Sequence, residues 1–130
     1  MVGVLLITHA TLGDALIECV CHVLNRRPPN LQALAVMPQD DPRDLLPAAR
    51  GVVEQLDLGD GVLVLTDLFG ASPANLAARL LGDGRIAAVA GVSLPMLLRV
   101  LTYREHGALP ALTERAVTGA RDGVVRMKPL

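Results

Sequence analysis

The stretch Val2-Gly3-Val4-Leu5-Leu6-Ile7-Thr8-His9 decides how this chain folds. An apolar run of that length predicts a strand buried on both faces, and its end on a histidine predicts that the chain surfaces there. A second run, Gly61-Val62-Leu63-Val64-Leu65-Thr66, ends in the same way on Asp67. A histidine and a carboxylate delivered to one rim of a sheet can pair. Asp67 then accepts the proton of one ring nitrogen and leaves the other nitrogen free as a nucleophile.

Between these strands the hydrophobic period changes. Leu12, Ala15, Leu16, Cys19, Val20, Val23 and Leu24 repeat at helical spacing, and Thr11 with Asp14 supplies a capping-box start. Arg26-Arg27-Pro28-Pro29-Asn30 stops this helix, and Leu31 to Met37 has the length of a strand. Asp40-Asp41-Pro42 opens a second helical stretch to about Leu56. Pro47 removes a backbone donor, which moves the expected start to near Asp44. Beyond Asp67, Ser72-Pro73 reads as an N-cap followed by proline at the first helical position, with a helix from Pro73 to about Leu81. Gly82-Asp83-Gly84 then turns into a strand from Arg85 to Val92. Ser93 caps a helix to about Arg104, a last helix runs from Pro110 to Ala120, and a terminal strand spans Gly123 to Met127.

Strands alternating with helices give βαβ units, so residues 1–130 are read as one α/β domain. Its sheet is doubly wound and mostly parallel, with helices on both faces. Composition does not select the strand order. In the order 2-1-3-4, however, the crevice where ligands bind lies between strands one and three, the strands that carry His9 and Asp67.

Composition narrows the function. Hydrophobic residues make up 52% of the chain, yet it has one Phe, one Tyr and no Trp, so the core is expected to be aliphatic. A net charge of −1, without a basic stripe or stacking aromatics, argues against nucleic acid as partner. The apolar run from Ile86 to Leu98 is too short to insert in a membrane, and the N-terminus lacks the basic segment of a signal peptide. A cytoplasmic location is expected. Cys19 and Cys21 fall on different helix faces, which favours a packed helix over a disulfide or metal site.

The loop Asp67-Leu68-Phe69-Gly70-Ala71-Ser72 runs into a helix N-terminus, whose free N–H groups and dipole favour an anion. Gly70 permits close backbone approach, and the Ser72 hydroxyl adds a donor. A phosphoryl group on His9 would rest there, stabilised by N–H groups and without a metal. The chain has no Walker lysine motif, and Gly82-x-Gly84 is too little for a dinucleotide fingerprint, so no nucleotide cofactor is expected. The phosphoryl group then has to come from a partner.

Three segments in register, Ile7-Thr8-His9, Thr66 to Asn75 and Ala90 to Leu97, resemble one known family. It comprises the EIIA components of the mannose, fructose and sorbose type in the bacterial phosphoenolpyruvate-dependent sugar phosphotransferase system. The resemblance covers essentially the whole chain. It implies a phosphocarrier that takes a phosphoryl group from HPr on His9 and passes it to an EIIB component. It further implies Asp67 as the orienting partner and Gly70, Ala71 and Ser72 as the phosphoryl cradle. The family loop more often has two glycines where this chain has Gly70-Ala71. The resemblance also implies a homodimer whose terminal strand, here Gly123 to Met127, is exchanged between subunits.

Other readings stay open at this level. His9 alone would be an ordinary strand-end histidine, Asp67 alone a turn-capping aspartate, and Ser72 a plain cap. Thr8 and Thr66 read as strand-end residues, and Arg99 as an exposed arginine near the Leu94-Pro95 turn. The phosphotransfer subunit of a dihydroxyacetone kinase is a rival within the same fold. A regulatory module that signals through its phosphorylation state is a rival of another class.

Overall fold

The computed structural model describes residues 1–82 and 84–130. Strands β1 (Gly3–His9), β2 (Leu31–Val36), β3 (Val62–Thr66) and β4 (Ile86–Ala90) alternate with helices α1 (Leu12–Leu24), α2 (Pro42–Leu56), α3 (Ser72–Leu80) and α4 (Leu94–Tyr103), and α5 (Leu109–Asp122) follows. The strands form one parallel sheet in the order β2-β1-β3-β4. Asp83, in the turn expected at Gly82-Asp83-Gly84, lies outside the described residues.

Side chains alternate across the sheet, and each face carries its own core. Leu6, Leu63 and Leu65 pack with Ile17 of α1, Met96 and Leu97 of α4 and Leu112 of α5. Leu5, Ile7 and Val64 pack with Val53 and Leu56 of α2 and with Leu76 and Leu80 of α3. Val4, Leu5, Leu6 and Ile7 are completely buried, as a central strand covered on both faces requires. In register, Ile7 stands opposite Thr66 and His9 opposite Val36, so His9, two residues beyond Ile7, and Asp67, one beyond Thr66, reach the same rim.

The entry into β3 is fixed by Asp57. Its carboxylate accepts hydrogen bonds from Gly59 N–H (2.9 Å), Gly61 N–H (3.1 Å), and Arg85 Nε (2.9 Å) and Nη2 (2.8 Å). The Arg85 contact, followed by the Gly59 backbone donor, holds its pKa far below the usual carboxylate range.

Several boundaries differ from the sequence reading. The buried line of α1 is Gly13, Ile17 and Val20, while Leu12, Ala15, Cys19 and Val23 face out. Gly13 sets this rotation, because a Cβ there would come within 3.1–3.3 Å of Ala33, Leu6 and Thr8 and the helix sits close to the sheet at that point. Thr11 makes no side-chain cap. The Thr8 hydroxyl, buried at the end of β1, instead accepts from Gly13 N–H at 2.8 Å.

Helix α2 starts at Pro42 with Pro47 inside it, because Asp41 caps the first turn by accepting from Arg43 N–H at 2.9 Å. Helix α3 starts one residue early, with Ala71 as N-cap and Ser72 at the first helical position. Ser93 caps α4 as expected, accepting from Met96 N–H. Residues 124–130 form no strand in the single chain, so the terminal strand expected over Gly123 to Met127 is not part of this sheet. That tail leaves Val124, Val125 and Met127 exposed. Among the described residues, no helix is long and apolar enough to cross a membrane.

Candidate functional site

His9 and Asp67 meet at the carboxyl rim of the two central strands. Asp67 Oδ2 lies 2.9 Å from His9 Nδ1 and also accepts the His9 backbone N–H at 2.9 Å. Its other oxygen, Oδ1, accepts Leu68 N–H at 3.0 Å. One carboxylate therefore fixes both the main chain and the ring of His9. Burial opposes ionisation of Asp67, but the His9 backbone and ring hydrogen bonds outweigh it and hold its pKa below the ordinary value. An ionised carboxylate only accepts, so the proton of the neutral ring sits on Nδ1. That leaves Nε2 with its lone pair and, among the described residues, without a hydrogen-bond partner. The His9 side chain is 52% exposed and that of Asp67 12%, so the imidazole faces solvent while the carboxylate beside it is shielded.

The chain beyond His9 is strained. Ala10 has φ +46°, a left-handed conformation that costs an L-residue about 1–2 kcal/mol, and its N–H is tied to the Val36 carbonyl at 2.9 Å. Ala10→Gly is expected to stabilise the fold by about 0.5–1 kcal/mol, because relief of strain exceeds the added chain entropy. Ala10→Val is expected to destabilise it, since β-branching disfavours that conformation further. Urea-denaturation midpoints moving in opposite directions for the two variants would show this.

His9, Ala10, Val36, Met37, Pro38 and Ser72 line a cleft of about 320 Å³. The structure thus brings Ser72 to His9, whereas Gly70 and Ala71 stand on the loop beside the cleft and do not line it. Gly70 has φ +87° with open space where a Cβ would be, so glycine is needed there for the turn and not for room. Ala71 has φ −90° and ψ 173°, extended backbone that accepts a methyl group. No side chain caps the first turn of α3, and its N–H groups remain available to an anion at the rim.

A second, polar cleft of about 480 Å³ adjoins the first through Ser72 and is lined also by Asp41, Arg43, Asn75 and Arg79. Arg43 pairs with Asp41 at 3.0 Å. Arg99, read from sequence as an exposed arginine, is paired with Asp122 at 2.8 Å. Thr8 and Ala10 support the site but were not singled out as functional. A buried threonine capping the next helix and a left-handed alanine carry no signature in one sequence.

A family model described as "PTS system fructose IIA component" matches residues 3–117. The chain is 28% identical over 129 residues to the "PTS system mannose-specific EIIAB component" of Escherichia coli (strain K12), covering 98% of this chain and 40% of that protein. It therefore spans less than half the length of that relative. Against the "PTS system fructose-specific EIIA component" of Bacillus subtilis (strain 168), identity is 52% over 52 residues, or 39% of this chain and 36% of the other. The "Mannose/sorbose specific IIA subunit of phosphotransferase system from Enterococcus faecalis" shares the fold with a TM-score of 0.87 at 16% identity, covering 99% of this chain and 96% of that one.

Proposed function

The chain belongs to the EIIA family of the mannose and fructose type in the sugar phosphotransferase system, and from that premise we propose that it is a cytoplasmic phosphocarrier working through His9. The observation that carries this reading is the Asp67 contact at Nδ1, which leaves Nε2 as the free nucleophile at the mouth of a cleft. In-line attack by Nε2 on phospho-HPr forms an N–P bond to His9. The donor's own bond to phosphorus breaks, and its electron pair stays with the donor. Transfer to an EIIB acceptor repeats the exchange in the opposite sense. Asp67 stabilises the positive ring character that develops as the N–P bond forms. Ser72 and the first-turn N–H groups of α3 receive the phosphoryl oxygens, with Gly70 and Ala71 shaping the loop that presents them.

Incubation with phosphoenolpyruvate, Enzyme I and HPr, followed by intact-mass analysis at alkaline pH, tests the reading. The expected result is a gain of one phosphoryl group, mapped to the peptide that contains His9. No gain with active donor proteins would overturn it.

A homodimer built by exchange of the tail belongs to the same proposal. Its support is the exposed Val124, Val125 and Met127 together with the partly exposed, uncharged edge strand Ile86–Ala90. Deleting residues 124–130 is expected to convert dimer to monomer in sedimentation velocity. A full-length chain that sediments as a monomer at micromolar concentration would exclude the exchange.

A further inference from the structure

Thr66, the last residue of β3, is 2% exposed, and among the described residues its hydroxyl is the buried side-chain group that finds no hydrogen-bond partner. Thr8, near the end of β1, is also buried, but its hydroxyl accepts from Gly13 N–H. An orphaned hydroxyl disfavours the folded state, and a valine of the same shape would fill the space without that cost. The rest of β3 is Val62-Leu63-Val64-Leu65, so packing alone does not account for a threonine here. Its place in the sheet does. Alternation sets Thr66 on the face of Val62 and Val64, which α2 and α3 cover. His9 belongs to the same face as Leu5 and Ile7, and Ile7 stands beside Thr66 in register. Thr66 and His9 are therefore diagonal neighbours, with Cβ atoms on the order of 7–8 Å apart. The Asp67 contact draws the ring toward the end of β3, and Ser72, in the first turn of the covering helix, shares a cleft with it. The Thr66 hydroxyl thus lies one layer beneath the meeting of the His9 ring and the start of α3. Its main chain is held, because the Thr66 carbonyl accepts Gly91 N–H at 2.9 Å and Val92 N–H at 3.0 Å. What stays free is rotation of the side chain and of its hydroxyl proton.

We propose that Thr66 is a phosphoryl-binding residue, whose hydroxyl has no partner in the resting chain and donates to a phosphoryl oxygen once His9 carries the group. The inference rests on the reading of His9 as phosphoryl acceptor. A phosphoryl group on Nε2 adds three strong acceptor oxygens at that place. Ser72 and the first-turn N–H groups of α3 take those turned to the cleft, and Thr66 takes the one turned to the sheet. A polar group left unsatisfied before transfer and satisfied after it favours the phosphorylated form specifically, because the interaction exists in that form alone.

The test is the equilibrium between phospho-HPr and the full chain, approached from both directions and read by intact mass at alkaline pH, for wild type, Thr66→Val and Thr66→Ser. An equilibrium constant compares the free proteins only, so changes in donor docking leave it unmoved. Thr66→Val is expected to lower the constant for uptake about tenfold, and Thr66→Ser to keep it within about twofold of wild type. In the unphosphorylated protein Thr66→Val is expected to raise the urea midpoint, because it removes an unsatisfied hydroxyl and keeps the shape. The two effects have opposite signs, which a residue that only packs does not produce. An unchanged equilibrium constant for Thr66→Val overturns the proposal, and so does an equal loss in Thr66→Ser, which keeps the hydroxyl. A lower urea midpoint for Thr66→Val overturns it too, since the hydroxyl is then already satisfied in the resting chain. A wild-type chain that gains no phosphoryl group defeats the reading of His9 and this inference with it. Wild type phosphorylated on His9, with Thr66→Val at the same equilibrium, defeats this inference alone.

Discussion

His9→Ala is expected to yield a folded protein that gains no mass on incubation with phosphoenolpyruvate, Enzyme I and HPr. The ring is half exposed and contributes little to either core. Its removal does not orphan Asp67, because Oδ2 keeps the backbone N–H of residue 9 and Oδ1 keeps Leu68 N–H. Stability is therefore expected to change by less than about 1 kcal/mol, whereas phosphoryl uptake is lost completely. Circular dichroism melting and intact mass on the same sample separate the two effects. A variant that still takes up one phosphoryl group would move the chemistry to another residue.

Asp67→Asn should be nearly as severe, for a different reason. The native carboxylate accepts three hydrogen bonds, two on Oδ2 and one on Oδ1. An amide offers an acceptor on one side only. If its oxygen stays with His9, its NH2 confronts Leu68 N–H. If its oxygen turns to Leu68, two donors face each other at the His9 backbone and Nδ1 loses its acceptor, which favours the ring tautomer protonated at Nε2. That tautomer has no lone pair for phosphorus, and the negative charge that balances the phosphorylated ring is gone as well. A fall in kcat of about 10²–10³-fold with little change in half-saturating donor concentration is expected. Stopped-flow quench with phospho-HPr would measure it. A variant as fast as wild type would reduce Asp67 to a loop-capping residue.

The parts of this arrangement that depend on covalent pattern were legible in the sequence. Two apolar runs ending on His9 and Asp67, separated by helical spacing, specify parallel strands and place the pair on one rim. The register with Ile7 opposite Thr66 agrees with that placement. What escaped was set by close packing. The rotation of α1 is governed by Gly13, which adds nothing to a hydrophobic count yet determines which side of the helix can approach the sheet. The cap of that helix comes from Thr8 on the preceding strand, and local spacing pointed to Thr11 instead. Ser72 moved from cap to first helical position because the extended backbone at Ala71 already turns the chain into α3. Pro47 sits within α2 because the Asp41 cap nucleates the turn before it.

The bond between His9 and Asp67 spans 58 positions of sequence and joins the two innermost strands. A slip of one residue between those strands would turn every side chain to the opposite face and separate the pair. No locally folded fragment can reproduce the contact, so the proton on Nδ1 is an internal reporter of the whole sheet. Its NMR resonance should vanish in urea along the same curve as the most protected amides of Leu5 to Ile7, and not with the earlier fraying of loops or termini.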